Sequence, residues 1–455
     1  MLRQLLLGTA LALAATSAAH ANGRPPSTST ITFRQGNEQH IVAGMTFGAT
    51  FSHDGGATWH WMCEDAILYA GNWDPAYAYT ASGAIFATTF GGLLVNRNGC
   101  EFEPTQFGES FMSAIGLGPD GALYSAGAQA ANPAATPPDP GDAKIHKSTD
   151  DGLSFPVAPS PGLVGDWWTS LEVAPSDGQR VYLSGYRFAG SKQFLLFRSN
   201  DGGASYTAMA TTGLSTTANS QIDIVAIGRT NPDLLFARVT YQIENAISDG
   251  IYRSTDAGQT WTRVLMLQDD IAVVLRANGD LVAGTRSSGV RVSRSPSNGA
   301  VWEDLVAAPH INCLVENTAG EVWACTQNFG GNQVLSDDAG IMKSTDLVTW
   351  TKVLRYQDIT GPVDCAAGTL QRDQCVDKTT GGLTNWCILR AQLGIVADPT
   401  TCPSLNADDG GTVTPPKTGC CDNSASGGPM GLAMMAAVAT LLGRRRRRAT
   451  RALRP

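Results

Sequence analysis

Short apolar runs bounded by Gly, Asn, Asp and Pro punctuate the chain from residue 31 onward. Ile31-Thr32-Phe33, Ala84-Ile85-Phe86-Ala87, Arg180-Val181-Tyr182-Leu183 and Glu321-Val322-Trp323-Ala324 are among them. Apolar runs this short, flanked by turn residues, predict β-strands. Seven turns punctuate them in the same way: Gln35-Gly36-Asn37, Ala81-Ser82-Gly83, Pro119-Asp120-Gly121, Ser176-Asp177-Gly178, Asn231-Pro232-Asp233, Asn278-Gly279-Asp280 and Thr318-Ala319-Gly320.

A second kind of turn is more regular. Ser254-Thr255-Asp256-Ala257-Gly258-Gln259-Thr260-Trp261 has near copies at 52–59, 148–155 and 199–206, all fitting Ser-x-Asp-x-Gly-x-(Thr/Ser)-aromatic. Eroded copies stand at 295–302, without the Asp, and at 344–350, one residue short and without the Gly. Residues 98–102 keep only the Gly and the aromatic. The aromatic thus recurs at 59, 102, 155, 206, 261, 302 and 350, with gaps of 43, 53, 51, 55, 41 and 48 residues. Each unit reads strand, turn, strand, loop, strand, motif, strand. This order and period predict an all-β chain, a seven-bladed β-propeller of four-stranded blades over residues 31–360. An Ala/Pro-rich insert at 128–140 reads as a surface loop of the third unit.

The motif has a local physical meaning. An Asp in a tight turn accepts hydrogen bonds from the N–H groups that follow it. The Gly supplies a positive φ, and the aromatic opens the next strand and packs back over the turn. Asp54, Asp150, Asp201, Asp256 and Asp346 are therefore read as structural. One such turn offers too few oxygens for Ca²⁺.

Charge changes the picture. The formal net charge is −8. Setting aside Arg3, the seven Arg of the last twelve residues and Asp422 leaves 24 basic against 39 acidic residues, about −15 for the body. So acidic a body excludes a nucleic-acid binder and disfavours anionic lipid. Arg3, the apolar run 5–15 and Ala19-His20-Ala21 read as a secretory leader over 1–21, cleaved after Ala21. Residues 22–30 are expected as a flexible start.

Export permits disulfides, so the ten Cys read as bridges. Cys63 is expected to pair with Cys100, and Cys313 with Cys325 across the 318–320 turn. Cys365, Cys375, Cys387 and Cys402 read as a small disulfide-rich module over 361–403, with a short helix near 383–393. Three connectivities remain open for those four. Zinc is the alternative there, although no Cys-x₂-Cys pair occurs. No phosphate loop, nucleophile elbow or His-Glu-x-x-His helix appears, and no cofactor is expected. Residues 404–419 form a linker. The stretch 420–455 then joins Cys420 and Cys421 to a short apolar run, read as a marginal transmembrane segment, and an Arg cluster.

The turn motif resembles the Asp-box (BNR) repeat of sialidase-like propellers, over roughly residues 31–355. The resemblance implies the propeller fold, with the boxes on the blade periphery away from the ligand face. A sialidase would also need an Arg cluster for the substrate carboxylate and a Tyr–Glu nucleophile pair. Phe33-Arg34-Gln35-Gly36 lacks the Ile-Pro that follows the family's first Arg, and Tyr241 with Glu244 has no supporting spacing. Carboxylates are numerous, and no spacing singles out a glycosidase pair. No catalytic residue is assigned. Asp166, Trp167 and Trp168, with Arg187, Arg238 and Arg286, form the candidate ligand face, since a carboxylate beside aromatics suits sugar stacking. The competing reading makes the Trp pair packing residues and the Arg solvated charges. The C-terminal order of Cys, apolar run and Arg cluster resembles the MYXO-CTERM sorting signal. That resemblance implies processing at Cys420 or Cys421 by sorting machinery, and surface display or release. The expected function is an exported glycan- or protein-binding module. A secreted sialidase-like or other glycoside hydrolase, or a structural envelope protein, is the alternative.

Overall fold

The computed structural model describes residues 24–402 apart from 70–72, 108–109, 135, 157–158, 244–245, 288, 306–307, 331–334, 381–382 and 397–401. Ala21, Cys420, Cys421, the linker and the sorting tail lie outside the described residues. Apart from Gln242, Ile243 and Ala246, the described residues belong to one compact unit.

Seven antiparallel sheets follow one another along the chain, each with its strands edge to edge in chain order. Blade 1 comprises Thr28–Phe33, Ile41–Met45, Gly48–Ser52 and His60–Met62; blade 2, Tyr77–Tyr79, Ile85–Thr89, Gly92–Asn96 and Glu103–Pro104. Blade 4 comprises Trp167–Ala174, Asp177–Ala189, Ser191–Ser199 and Thr207–Ala208; blade 5, Gln221–Ile227, Leu235–Ile243, Ala246–Ser254 and Thr262–Leu267. Blade 6 runs from Ala272–Leu275 to Glu303–Leu305, and blade 7 from Cys313–Glu316 to Thr351–Leu354. Each first strand neighbours the first strands of the adjoining blades, and that of blade 7 touches that of blade 1, so seven inner strands close a ring. This is the expected seven-bladed propeller. Thr28–Thr30, read in sequence as part of a flexible start, belong to its first inner strand.

Blade 3 departs from the pattern. It has Met112–Leu117, Leu123–Gly127 and Ile145–Ser148, and no fourth strand among the described residues. The segment that would supply one carries Pro156, Pro159 and Pro161, which have no N–H for a ladder.

All seven expected turns join first to second strands, and all seven motif positions follow third strands. In the first motif Ser52 Oγ donates to Asp54 (2.8 Å) and accepts from Gly56 N–H (2.8 Å), while Thr58 donates to Asp54 through its N–H (2.9 Å) and its hydroxyl (2.6 Å). The same set recurs around Asp150, Asp201 and Asp256. Around Asp346, Leu347 takes the left-handed position (φ 67°) that Gly holds elsewhere. In the sixth copy the capping hydroxyl belongs to Ser293, not Ser295, and it accepts from Gly299 N–H at 2.8 Å.

The motif Gly has a second role that its φ does not reveal. A Cβ on Gly152 would lie 2.3 Å from the Phe86 ring; on Gly203, 3.1 Å from Tyr124; on Gly56, 3.1 Å from Trp323. Each of those rings comes from the second strand of the preceding blade. The motif is thus a seam between blades as well as a turn. Trp261 and Trp302 extend it by donating their indole N–H to Ala210 and Val264 on the blade before.

The motif carboxylates carry a pH signature. Hydrogen bonds from Thr58, Ser148, Ser205, Ser254 and the Thr349 backbone lead in holding Asp54, Asp150, Asp201, Asp256 and Asp346 down at about 2. A depressed carboxylate stabilises the fold above its ordinary titration near pH 4 and loses that contribution as pH falls through about 2. These side chains are exposed, so each contribution is small. The urea midpoint is expected to drop between about pH 4 and pH 2, and Asp256→Asn should flatten part of that drop. A midpoint unchanged over this window would refute the assignment.

After blade 7 the chain crosses onto blade 1. Tyr356 Oη meets Thr28 Oγ1 at 2.9 Å, and Gly361–Pro362 pairs in parallel with His60 and Trp61, adding a fifth strand. Gln371, in a π-helical turn at Gln371–Asp377, donates to Trp61 O at 2.9 Å. A helix, Asn385–Leu393, is capped by Thr384 and ended by Gly394 at φ 71°. Its Leu389 and Leu393 enter the same core as Trp61 and Met62.

The disulfides correct the expected pairing. Cys63 binds Cys375 and Cys100 binds Cys365, so the predicted Cys63–Cys100 bridge does not form. The added strand lays the 361–377 segment along the outer side of blade 1, which brings Cys365 and Cys375 to those two partners. Cys313–Cys325 forms as expected, and Cys387–Cys402 closes the helix onto the segment after it. The C-terminal module is a clasp on blades 1 and 2, with one internal bridge.

Candidate functional site

In a four-stranded antiparallel blade the first and third connections lie at one end, and the second connection and the link to the next blade lie at the other. The motifs occupy the first end. The second end holds the candidate ligand face, and the sequence candidates divide there.

Asp166, buried just before blade 4, receives Arg187 through Nε (2.5 Å) and a terminal nitrogen (2.7 Å), and also Leu163 N–H (2.8 Å). The two candidates satisfy each other, which removes Arg187 as a free carboxylate reader. Trp168 is fully buried, donates to Ala143 O at 2.9 Å and packs edge-on against Phe197. It is a core residue. Arg238 pairs with Asp223 (2.9 Å) and approaches Asp249 (3.7 Å), while Arg286 stands exposed on blade 6. The expected Arg therefore form no cluster: two are held by their own carboxylates. Arg34 is tied to Ala81 O at the motif end. Tyr241 is buried, with its hydroxyl bound to Tyr252 (2.6 Å) and Ser215 O (2.9 Å), so it is not presented as a nucleophile. Glu244 lies outside the described residues.

Trp167 alone joins something larger. Its ring lies 5.2 Å from Phe111, 6.5 Å from Trp73 and 6.4 Å from Tyr186, nearly parallel to the last. Phe111 stacks on Phe90 at 4.7 Å, and Tyr186 meets Phe188 at 5.5 Å. Six rings from blades 2, 3 and 4 thus make one ridge. Phe90 and Phe188, at its two ends, are 55% and 57% exposed. Lys192 Nζ sits 4.2 Å over Tyr186, and Leu163 and Val164 stand exposed beside Asp166. Sequence reading missed five of the six rings because they lie scattered between 73 and 188. Their signal was positional: Phe90 and Phe188 end second strands, and Trp73 and Phe111 precede first strands.

Deeper along blade 4, burial and then the Asp223 charge push the Glu172 carboxyl up to about 7. Glu172 and Asp223 belong to adjacent inner strands, and Gln221 and Arg238 hold Asp223. Among the described residues no group of three or more His, Cys, Asp or Glu is set to hold a metal ion. None of their helices is long and apolar enough to cross a membrane, and the apolar tail lies outside them.

No family model matches the chain, and no curated protein matches it. Solved structures do. The extracellular domain of a protein described as a one-component system from B. thetaiotaomicron is 12% identical, with TM-score 0.47, over 71% of this chain and 39% of that one. The WD40 repeats of RRP9 are 13% identical, with TM-score 0.45, over 70% and 93%. An ancestral GH74 enzyme is 10% identical, with TM-score 0.31, over 74% and 71%. The chain spans about two fifths of the length of the first of these. At such identities none of them bears on activity, and the architecture rests on the sheets themselves.

Proposed function

We propose that this is an exported propeller that binds neutral glycan chains on the face opposite the turn motifs. The aromatic ridge carries this reading, with Phe90 and Phe188 exposed at its ends, Trp73, Trp167 and Tyr186 half-buried between them and the buried Phe111 supporting it from below. Ring faces with polar rims suit the apolar face and hydroxyl edge of a sugar. The acidic body disfavours polyanions. Four disulfides fit an oxidising compartment. The hydrogen-bonded turn motif supports kinship with Asp-box propellers. Processing at Cys420 or Cys421 would then leave the propeller at the cell surface or outside it, and the mass of the mature C-terminus tests that step.

The leaderless protein, screened on a glycan array and then by calorimetry, is expected to bind neutral oligosaccharides. Phe188→Ala, at an exposed site, should weaken binding about tenfold, or about 1.4 kcal/mol, without shifting the melting temperature. Absence of glycan binding, or affinity indifferent to Phe188, would sink the reading. Turnover of fluorogenic glycosides would redirect it to a hydrolase, with Glu172 and Asp223 the first residues to replace.

A further inference from the structure

We propose that His40 and His53 form a two-imidazole site for a divalent transition-metal ion of the Zn²⁺ or Cu²⁺ kind, at the motif end of blade 1. Ile41 and Ser52 are the last paired residues of the second and third strands, so His40 and His53 stand opposite each other one step beyond. Their Nδ1 atoms face each other at 2.9 Å, with ring centroids 4.7 Å apart. Two tetrahedral zinc-bound nitrogens, each about 2.0–2.1 Å from the metal, lie about 3.3 Å apart. A small rotation of the exposed His53 and the half-buried His40 side chains therefore admits an ion between them.

Imidazole is the ligand type that suits zinc and copper. Two Nδ1 atoms in contact cannot both carry a proton, so at least one presents a lone pair toward the gap. Tyr79 Oη, 3.5 Å from His40 Nδ1, stands in reach as a further oxygen from blade 2, and water completes the coordination. Of the six His in the chain, half (His40, His53 and His60) fall on this one blade. Arg34, a nearby cation, has its guanidinium engaged by Ala81 O. The site lies at the end of the molecule away from the aromatic ridge and is independent of glycan binding.

The test uses the leaderless protein without a polyhistidine tag. Calorimetry with Zn²⁺ is expected to show one saturable equivalent. The Cu²⁺ form should show two-nitrogen splitting by electron paramagnetic resonance. His40→Ala and His53→Ala should each weaken binding at least about tenfold while melting like the parent in EDTA. Should an Ala variant melt lower, His53→Gln decides by the same readout, since it keeps a hydrogen-bond partner for His40 but offers no imidazole. Affinity within twofold of the parent in these variants, or a copper spectrum without imidazole nitrogen, would overturn the site.

Discussion

Replacing Cys63 and Cys375 by Ser is expected to cost about 3–4 kcal/mol, and removing Cys100 and Cys365 as well about 5 kcal/mol more. The order follows from how the loops nest. The bridges span 312 and 265 residues, and one span contains the other. While either stands, the ring stays tied, and the second bridge closes only the short path through 63–100 and 365–375. When the last one goes, the denatured chain gains the freedom of nearly the whole propeller. Loop entropy grows slowly with length, so the difference between the steps is modest. The clasp also holds by non-covalent means, through the Gly361–Pro362 strand and the Tyr356–Thr28 hydrogen bond, so a reduced ring opens at a destabilised seam and does not fall apart at once. Cys313–Cys325 closes only 12 residues of an existing hairpin, so its removal should matter least. Urea unfolding of the three variants measures this. Equal, small losses for all bridges would mean the clasp does not govern stability.

The architecture was legible because its signals are local. Each turn residue acts on neighbours within four positions, so seven turns and seven motifs could be counted without knowing how blades meet. What escaped was set between blades. Asp166 and Arg187 both looked like ligand-binding groups, because a sequence does not show that one neutralises the other. Trp167 and Trp168 looked alike, but strand alternation sends one to the ridge and the other to the core. The ring of inner strands begins at Thr28 and the clasp follows blade 7, so neither end of the repeat pattern showed how the ring closes. That blade 3 has no fourth strand among the described residues did have a signal, in Pro156, Pro159 and Pro161, that the count of aromatics passed over.

The inter-blade role of the motif Gly leads to the sharpest test of the fold. Gly152→Ala is expected to cost about 2–5 kcal/mol: about 1–2 for a left-handed alanine and about 1–3 for overpacking. Gly152 has φ 71°, and its new methyl would lie 2.3 and 2.4 Å from atoms of the fully buried Phe86 ring. Gly36 is the control. It has φ 76° with no atom within 4 Å of the added methyl, so Gly36→Ala should show the backbone part alone. A double-mutant cycle separates the two contributions. With Phe86→Leu in place the ring is gone, and Gly152→Ala should fall to the cost of Gly36→Ala. The motif then has two reasons for its glycine, a turn that needs left-handed backbone and a neighbouring blade that needs the space of a side chain. Leu347 marks the difference: it occupies the left-handed position in blade 7 at 0% exposure, so the turn tolerates a side chain where the packing makes room for one. If Gly152→Ala and Gly36→Ala cost the same by urea unfolding, the glycine serves the turn only, and the seam between blades rests on the rings alone.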